Sequence, residues 1–259
     1  DDFTDEEYWQ NEDQARTYMY GFYTSVFSGY GTGTSHGPFL MGQTLNDDFA
    51  SDVEQKDLTP LVVPETDGSW SFSNIRKANY ALASIERIDA TPAAKNHWRG
   101  VARFFRACYY SNLVFRYGDV PWYDRVPKLS DRKEDMDYLY KDRDPRAFVD
   151  SCIMADFQYA MDSVRENDGP MHINRYVVAA MASRFMLREG TFLKYHNIDA
   201  HLAEQCLTMA KGAAEVVMKS NKYAIAPSYN ALFTSEDLGS NPEIIMHRHY
   251  VDGVLAHST

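Results

Sequence analysis

The amino-acid sequence predicts an all-α protein, and three observations support this prediction. After residue 74, apolar side chains recur at the three- and four-residue spacing of one helix face. Proline, glycine, asparagine and aspartate lie between these segments, where they end one helix and begin the next. Small residues recur in the last two long segments, which indicates helices in close contact. We therefore predict a helical scaffold with tetratricopeptide-like helix pairs and long irregular loops, although the self-similarity expected at about 34 residues is weak.

The composition excludes two classes of partner. The chain has 259 residues, 44% of them hydrophobic, so it can bury the core of one large domain or two small ones. Its formal net charge of −11 argues against binding to a nucleic-acid backbone or an anionic membrane surface.

The sequence shows no membrane span and no signal peptide. No apolar run approaches the ~20 residues that span a bilayer. The chain begins with acidic residues and not with a signal peptide, as would also be true of a processed protein.

The three cysteines do not form a recognisable framework. Cys108, Cys152 and Cys206 each lie inside a helical pattern, and none belongs to a CxxC pair. An odd number at long spacing is typical neither of a disulfide framework nor of a zinc site. We predict buried free thiols that behave as small hydrophobic side chains.

Residues 1–73 combine one predicted helix with the least regular part of the chain. Acids alternate with apolar residues from Asp5 to Phe27, which predicts a first helix, and a glycine-rich break follows at 28–38. Gly31-Thr32-Gly33 lacks the preceding strand and the following Lys-Ser/Thr of a phosphate-binding loop. Residues 41–73 have no clear period, and loops of about 30 residues in compact domains are usually functional or disordered.

Residues 74–220 read as helices almost throughout, with residues 221–259 as a separate final region. Ser73 or Asn74 can cap the first of these helices through a side-chain oxygen. A polar connector is expected between Pro121 and Asp144. The predicted helices run from 74 to 88, from Thr91-Pro92 to Tyr117, from Pro145 through Met161, from Asn174 to Tyr195, and from Asp199 to Ser220.

The segment from Asn96 to Pro121 carries the clearest pattern. Gly118 can adopt the left-handed conformation that closes a helix, and Pro121 cannot continue one. Four arginines fall between the apolar positions and are expected to carry charge outward, or to lay their stems along the apolar face. The predicted core face comprises Trp98, Val101, Phe105, Cys108, Tyr109 and Leu113, and the arginines are Arg99, Arg103, Arg106 and Arg116.

Several short motifs in this order resemble the SusD-like (RagB/SusD) family of outer-membrane nutrient-binding lipoproteins of Bacteroidota. The most specific is Arg99 to Ala107 followed by Leu113 and Arg116-Tyr117-Gly118-Asp119-Val120-Pro121. Weaker similarities, in family order, lie in an Ala-Asn-led helix from Asn79 to Ile88, in Ala155-Asp156-Phe157 with Ala160, in the alanine-rich helix from Arg175 to Leu187, and in the strand start Asn241-Pro242-Glu243-Ile244-Ile245. Family members are usually about twice as long, so the resemblance identifies residues 1–259 as an amino-terminal part.

The resemblance implies a cell-surface glycan-binding protein without catalytic residues or cofactors. Such proteins are lipid-anchored in the outer membrane and deliver captured oligosaccharides to a TonB-dependent (SusC-like) transporter. The repeat grooves of the family are thought to face the transporter, and the loops the sugar. The anchoring cysteine of the family is not seen in this sequence, so the anchor is implied by the resemblance only.

The irregular region supplies the groups that a sugar needs. A sugar ring has an apolar C–H face, which an indole can cover, and hydroxyls that carboxylates, amides and guanidinium groups can bind. Trp70 can alternatively anchor the helix start by packing, and Asp47 and Asp48 can be solvated loop acids. The predicted glycan-binding residues are Asn46, Asp47, Asp48, Trp70, Asn74 and Arg76. Trp122 and Tyr123 are expected to be buried at the turn after Pro121.

Other kinds of site have weaker support. His247 and His249 would share one face if their segment were a strand, but no third metal ligand is visible in the sequence, so we predict no metal site. An all-α glycoside hydrolase is an alternative, although no nucleophile or metal motif supports it. A helical scaffold that binds a protein or peptide partner is the other alternative.

Overall fold

The computed structural model describes residues 8–29, 65–128 and 130–256, and these residues fold as an all-α protein. In these ranges the only β pairing consists of isolated bridges, such as the antiparallel bridge between Val120 and Asp144. The fold class predicted from the sequence is therefore confirmed. The helices are α1 (Glu12–Val26), α2 (Ser73–Ser84, extended by a 3-10 turn Ile85–Arg87), α3 (Pro92–Tyr117), α4 (Lys133–Leu139), α5 (Arg146–Ser163), α6 (Arg175–Tyr195), α7 (Ala200–Lys219) and α8 (Tyr229–Thr234).

The starts of the first two helices differ from their predicted positions. α1 begins at Glu12 because the Asn11 side chain accepts hydrogen bonds from the backbone of Asp13 and Gln14, while Gln14 bonds back to Asn11. This capping box fixes the start seven residues after Asp5. At α2, neither Ser73 nor Asn74 caps the helix, because the cap position is Phe72. The Ser73 amide instead donates a hydrogen bond to the Ser71 hydroxyl at 3.4 Å.

The long helix α3 has the predicted ends. Thr91 caps it by accepting a hydrogen bond from Ala94 N, and Pro92 occupies its first turn. Gly118 closes it with a φ of 73°, a conformation that glycine adopts without steric cost. The predicted core face of this helix is buried, with Tyr109 half-buried.

The core lies where α3 packs between its neighbours. α5 packs along one side of α3, and α1 and α2 cover another. α6 and α7 form the most extensive helix pair, joined by residues 196–199, which agrees with the predicted close hairpin. α3 is therefore the central element, and its carboxyl end carries the loops described below.

A buried ionic network corrects the expectation that all four arginines of α3 point outward. The Arg106 guanidinium is 5% exposed and binds both carboxylate oxygens of Asp156 on α5, at 2.7 and 2.8 Å. It also donates to Asn79 Oδ1 on α2 at 2.7 Å, and Asn79 in turn donates to the Tyr123 carbonyl oxygen. The cluster joins α2, α3, α5 and the connector after Pro121. Each buried polar group in it has a hydrogen-bond partner, which offsets the cost of its burial.

Several smaller expectations are also corrected. Phe148, an apolar side chain in the helix predicted from Pro145 through Met161, is 48% exposed. The connector between Pro121 and Asp144 contains the short helix α4. No strand forms after Asn241 in the described residues, so the family-like strand start there is not realised. Trp122 is buried against Tyr110, with ring centroids 4.2 Å apart, as expected for the turn.

The cysteines are free, as predicted. Cys108 and Cys206 are buried, and Cys152 is half-buried. Burial raises the pKa of the Cys206 thiol to about 12 and that of Cys108 further, so neither thiol ionises at neutral pH.

Candidate functional site

A cleft of about 470 Å³ lies between the loop before α2 and the carboxyl-terminal half of α3. One wall is the loop and the first turn of α2, and the other is a single face of α3. This volume lies within the range of small-molecule sites. The lining residues are Gly68, Ser69, Ser71, Ser73, Asn74 and Ile75 from the first wall, and Tyr109, Asn112, Leu113, Phe115, Arg116 and Tyr117 from the second.

Trp70 lies in the same loop and presents part of its indole to solvent. Its ring contacts Tyr117 edge-to-face, with centroids 4.9 Å apart, and Phe72 in the same way at 5.4 Å. The Arg143 guanidinium carbon lies 4.7 Å from the centroid of the Trp70 ring. Trp70 is nevertheless 37% exposed, so this residue is held by packing and is still accessible.

Asp67 ties the loop to α3. Its carboxylate accepts hydrogen bonds from Ser69 N at 2.9 Å, from the Tyr117 hydroxyl at 2.7 Å and from Arg116 Nε at 2.9 Å. The bonds from Ser69, Tyr117 and Arg116 hold the pKa of Asp67 well below its usual value. Because three donors already occupy this carboxylate, it orients the loop and is not a free general base.

The predicted site residues fall into three groups. Asn74 lines the cleft and Trp70 stands beside it, so the structure brings these two together. Arg76 is exposed on α2 and does not line the cleft. Asn46, Asp47 and Asp48 lie outside the described residues, and their role stays a prediction.

Sequence reasoning missed the α3 wall of the cleft. Tyr109 was assigned to the core and Arg116 to outward charge, yet both line the cleft with Tyr117. The signal that could have found them is their spacing. Tyr109, Asn112, Leu113, Arg116 and Tyr117 recur at intervals of three and four residues, which places them on one helix face.

Other grooves lie on the outer face of the helix pair and differ in chemistry. The groove between α5 and α7, about 670 Å³, is lined by methionine, alanine, threonine and charged or amide side chains, with one imidazole from His201. A neighbouring groove of about 810 Å³ between α6 and α7 includes Tyr195. Neither of these two grooves is lined by a tryptophan, whereas the Trp70 cleft has a partly exposed indole beside several hydroxyl and amide side chains.

The histidine pair does not lie in a strand. His247 and His249 lie in a segment without regular secondary structure, with ring centroids 5.9 Å apart. Asp237, from the loop after α8, approaches both imidazoles. Among the residues that the structure describes, Asp237, His247 and His249 form the cluster of ligating side chains that could hold a metal ion.

Comparison with known proteins identifies the family. Residues 42–187, more than half of the chain, match the sequence model of the SusD-like_3 family, described as starch-binding and associating with the outer membrane. The chain belongs to this SusD-like family. The resemblance seen in the sequence motifs is confirmed, and no curated protein matches the sequence.

Solved SusD-like structures share the fold. A SusD-like protein from Bacteroides fragilis NCTC 9343 is 19% identical, with a TM-score of 0.65 over 94% of this chain and 45% of its own. A SusD-like carbohydrate binding protein from the same strain is 16% identical, with a TM-score of 0.67 over 96% and 48%. A third structure, with xylogluco-oligosaccharide, is 18% identical, with a TM-score of 0.53 over 94% and 45%. This SusD-like chain thus spans about half the length of these proteins.

No helix of the described residues is both long and apolar enough to cross a bilayer.

Proposed function

We propose that this SusD-like chain is a cell-surface glycan-binding protein that captures oligosaccharides and passes them to a TonB-dependent outer-membrane transporter. The observation that carries the proposal is the partly exposed Trp70 beside a cleft of hydroxyl and amide groups. The chain does no chemistry on the sugar in this account.

The cleft suits a sugar ring in both parts of its chemistry. The exposed part of the indole can cover an apolar C–H face, since its ring presents a flat, electron-rich surface. Ser69, Ser71, Asn74 and Asn112 offer donors and acceptors to ring hydroxyls. Asp67 and Tyr117 fix the loop before a ligand arrives, which reduces the entropy lost on binding.

The predicted loop residues Asn46, Asp47 and Asp48 are proposed to complete the site. They precede the described wall in the chain, and carboxylates and amides are the groups that bind sugar hydroxyls. Arg76 is proposed as an outer contact, because it is exposed one turn into α2.

Transporter delivery is proposed from family membership and from the helix face that the sugar cleft does not use. The grooves along α7 run on the outer side of the helix pair, with exposed Leu187 and Tyr195 on the neighbouring α6. Exposed apolar side chains along grooves are typical of protein-binding surfaces. This surface also supports the alternative function, a helical scaffold for a protein or peptide partner. Attachment to the cell surface by a lipid anchor is part of the same proposal.

Isothermal titration with a panel of oligosaccharides tests the function. Starch-derived and xyloglucan-derived oligosaccharides are the first to use, and reducing ends are measured in the same samples over several hours. We expect saturable binding of at least one glycan with no increase in reducing ends. Release of reducing ends would favour a hydrolase, and failure of the whole panel to bind would overturn the proposal.

A further inference from the structure

We propose that Asp237, His247 and His249 form a binding site for a divalent transition-metal ion, with Zn²⁺ as the best match. One ligand atom from each residue lies within 4.8 Å of the other two. The sequence alone argued against a metal because it showed no third ligand. The structure brings Asp237 to the histidine pair from ten residues upstream of His247. These three residues are not among those that line the sugar cleft.

The donor set matches Zn²⁺ chemistry. Two imidazole nitrogens and one carboxylate oxygen, with a water in the fourth position, form a common tetrahedral arrangement. Ligand atoms in such a site lie about 3.3 Å apart, given metal–ligand distances of about 2.0–2.1 Å. The observed separations therefore need side-chain rotations that bring the atoms closer by about 1.5 Å at most. Asp237 and His249 are exposed and can make that movement.

Asp237 is positioned by its own loop. Its Oδ1 accepts a hydrogen bond from Gly239 N at 2.8 Å, and its carbonyl oxygen accepts one from the Ser235 hydroxyl at 2.8 Å. Oδ1 is also 4.0 Å from His249 Nδ1. One oxygen is thus held in the turn near the imidazoles, and the carboxylate needs little reorganisation to bind a cation.

A bound ion would join two parts of the chain after α7. Asp237 belongs to the loop after α8, whereas the histidines belong to a segment that the core already holds. Ile245 and Met246 pack against the core, and Arg248 donates to the Ser28 carbonyl oxygen at 2.6 Å. The ion would therefore fasten the exposed loop around Asp237 to this held segment.

Zn²⁺ titration of the untagged, chelator-treated full chain tests the site. We expect one Zn²⁺ to bind per chain. His249→Ala and Asp237→Asn should each weaken binding at least tenfold, whereas His201→Ala, which removes an exposed imidazole on α7, should leave the affinity unchanged. Circular dichroism should give the same thermal midpoint for all four metal-free proteins, because the changed side chains are exposed.

Amide hydrogen exchange provides a second readout. Zn²⁺ should slow exchange across residues 235–251 in the wild type and in His201→Ala, but not in Asp237→Asn. Absence of Zn²⁺ binding would overturn the proposal. So would binding that His249→Ala and Asp237→Asn leave unchanged, because the ion would then lie at other histidines and Asp237 and His249 would only be neighbours 4.0 Å apart.

Discussion

Trp70 combines two roles that the sequence presented as alternatives, helix-start anchor and ligand contact. Its edge-to-face contacts with Phe72 and Tyr117 show that it packs at the start of α2. Its 37% exposure leaves part of the ring accessible beside the cleft. A packed and still accessible aromatic ring is pre-organised for binding, because it loses little side-chain entropy when a ligand arrives.

Trp70→Ala should weaken glycan binding at least about tenfold, since truncating a central aromatic anchor typically costs more than about 1–2 kcal/mol. The thermal midpoint should change by only a few degrees, because the indole is partly exposed. Calorimetric titration and thermal unfolding measure the two effects. Tyr229→Ala, which removes an exposed aromatic ring on α8, is the matched control and should bind as the wild type. A large fall in midpoint with unchanged affinity would instead assign Trp70 to packing alone.

Asp150, on α5, is an unusual residue of the core. It is fully buried, and both carboxyl oxygens lack a hydrogen-bond partner in the described residues. Arg146, 3.9 Å away, binds Glu189 at 2.6 Å instead. Burial and the nearby Glu189 charge raise the pKa of Asp150 to about 8, against the opposing charges of Arg146 and Arg188.

Asp150→Asn should reduce the loss of stability with rising pH. The unfolded carboxyl releases its proton near pH 4, but the folded one holds it to about pH 8. Between these values the folded state binds more protons, so the contribution of this group to the free energy of unfolding falls as pH rises. The wild-type thermal midpoint should therefore drop more between pH 5 and pH 8.5 than that of Asp150→Asn. Asp137→Asn, on the exposed face of α4, should follow the wild type. Parallel curves for wild type and Asp150→Asn would contradict this account.

At the scale of elements, the sequence predicted the helices whose ends carry strong local signals. Thr91-Pro92 and Gly118 delimit α3, and Asn174 and Asp199 cap α6 and α7 through their side chains, as expected. The predicted start of α1 at Asp5 was wrong because the acidic residues before Asn11 continue the helical pattern. The capping box of Asn11 and Gln14 sets the true start at Glu12. Local signals therefore predicted most of the helical fold.

The contacts that build the cleft could not be predicted in this way. Asp67 meets Arg116 and Tyr117 across 49 and 50 residues of chain. Arg106 meets Asp156 across 50 residues, which buries a side chain that the local pattern placed outward. These pairings depend on how α3 packs against α5 and against the loop before α2, and a single sequence does not reveal that packing. The composition of residues 67–74 is a local signal that points to Trp70 and Asn74, which lie beside and in the cleft, and their role in binding stays a prediction.

The close approach of α6 and α7 gives a prediction at this scale. A Cβ atom added at Gly190 would lie 2.9 Å from Leu207 Cγ and 3.1 Å from the Ala203 carbonyl oxygen, whereas one added at Gly212 would have no neighbour within 4 Å. Gly190→Ala should lower the free energy of unfolding by about 1–3 kcal/mol through overpacking. Gly212→Ala should raise it by about 0.5–1 kcal/mol through helix propensity. Urea unfolding measures both changes. If both variants changed the free energy of unfolding by the same amount and sign, α6 and α7 would not pack as closely as described at Gly190.

At the scale of the whole molecule, α3 connects the fold to the cleft. Its middle is fixed by the Arg106 network, and its last turns form one wall of the site. The other wall is a loop held to that helix by Asp67. Functional groups on loops held by a rigid scaffold are a common arrangement in binding proteins.

A crystal structure of the protein soaked with an oligosaccharide that binds in titration tests the central claim most directly. The account predicts an intact sugar in the cleft between residues 67–74 and the end of α3, with one ring against the exposed part of Trp70 and hydroxyls bonded to groups such as Asn74. A sugar bound in the grooves along α7, with the Trp70 cleft empty, would contradict it.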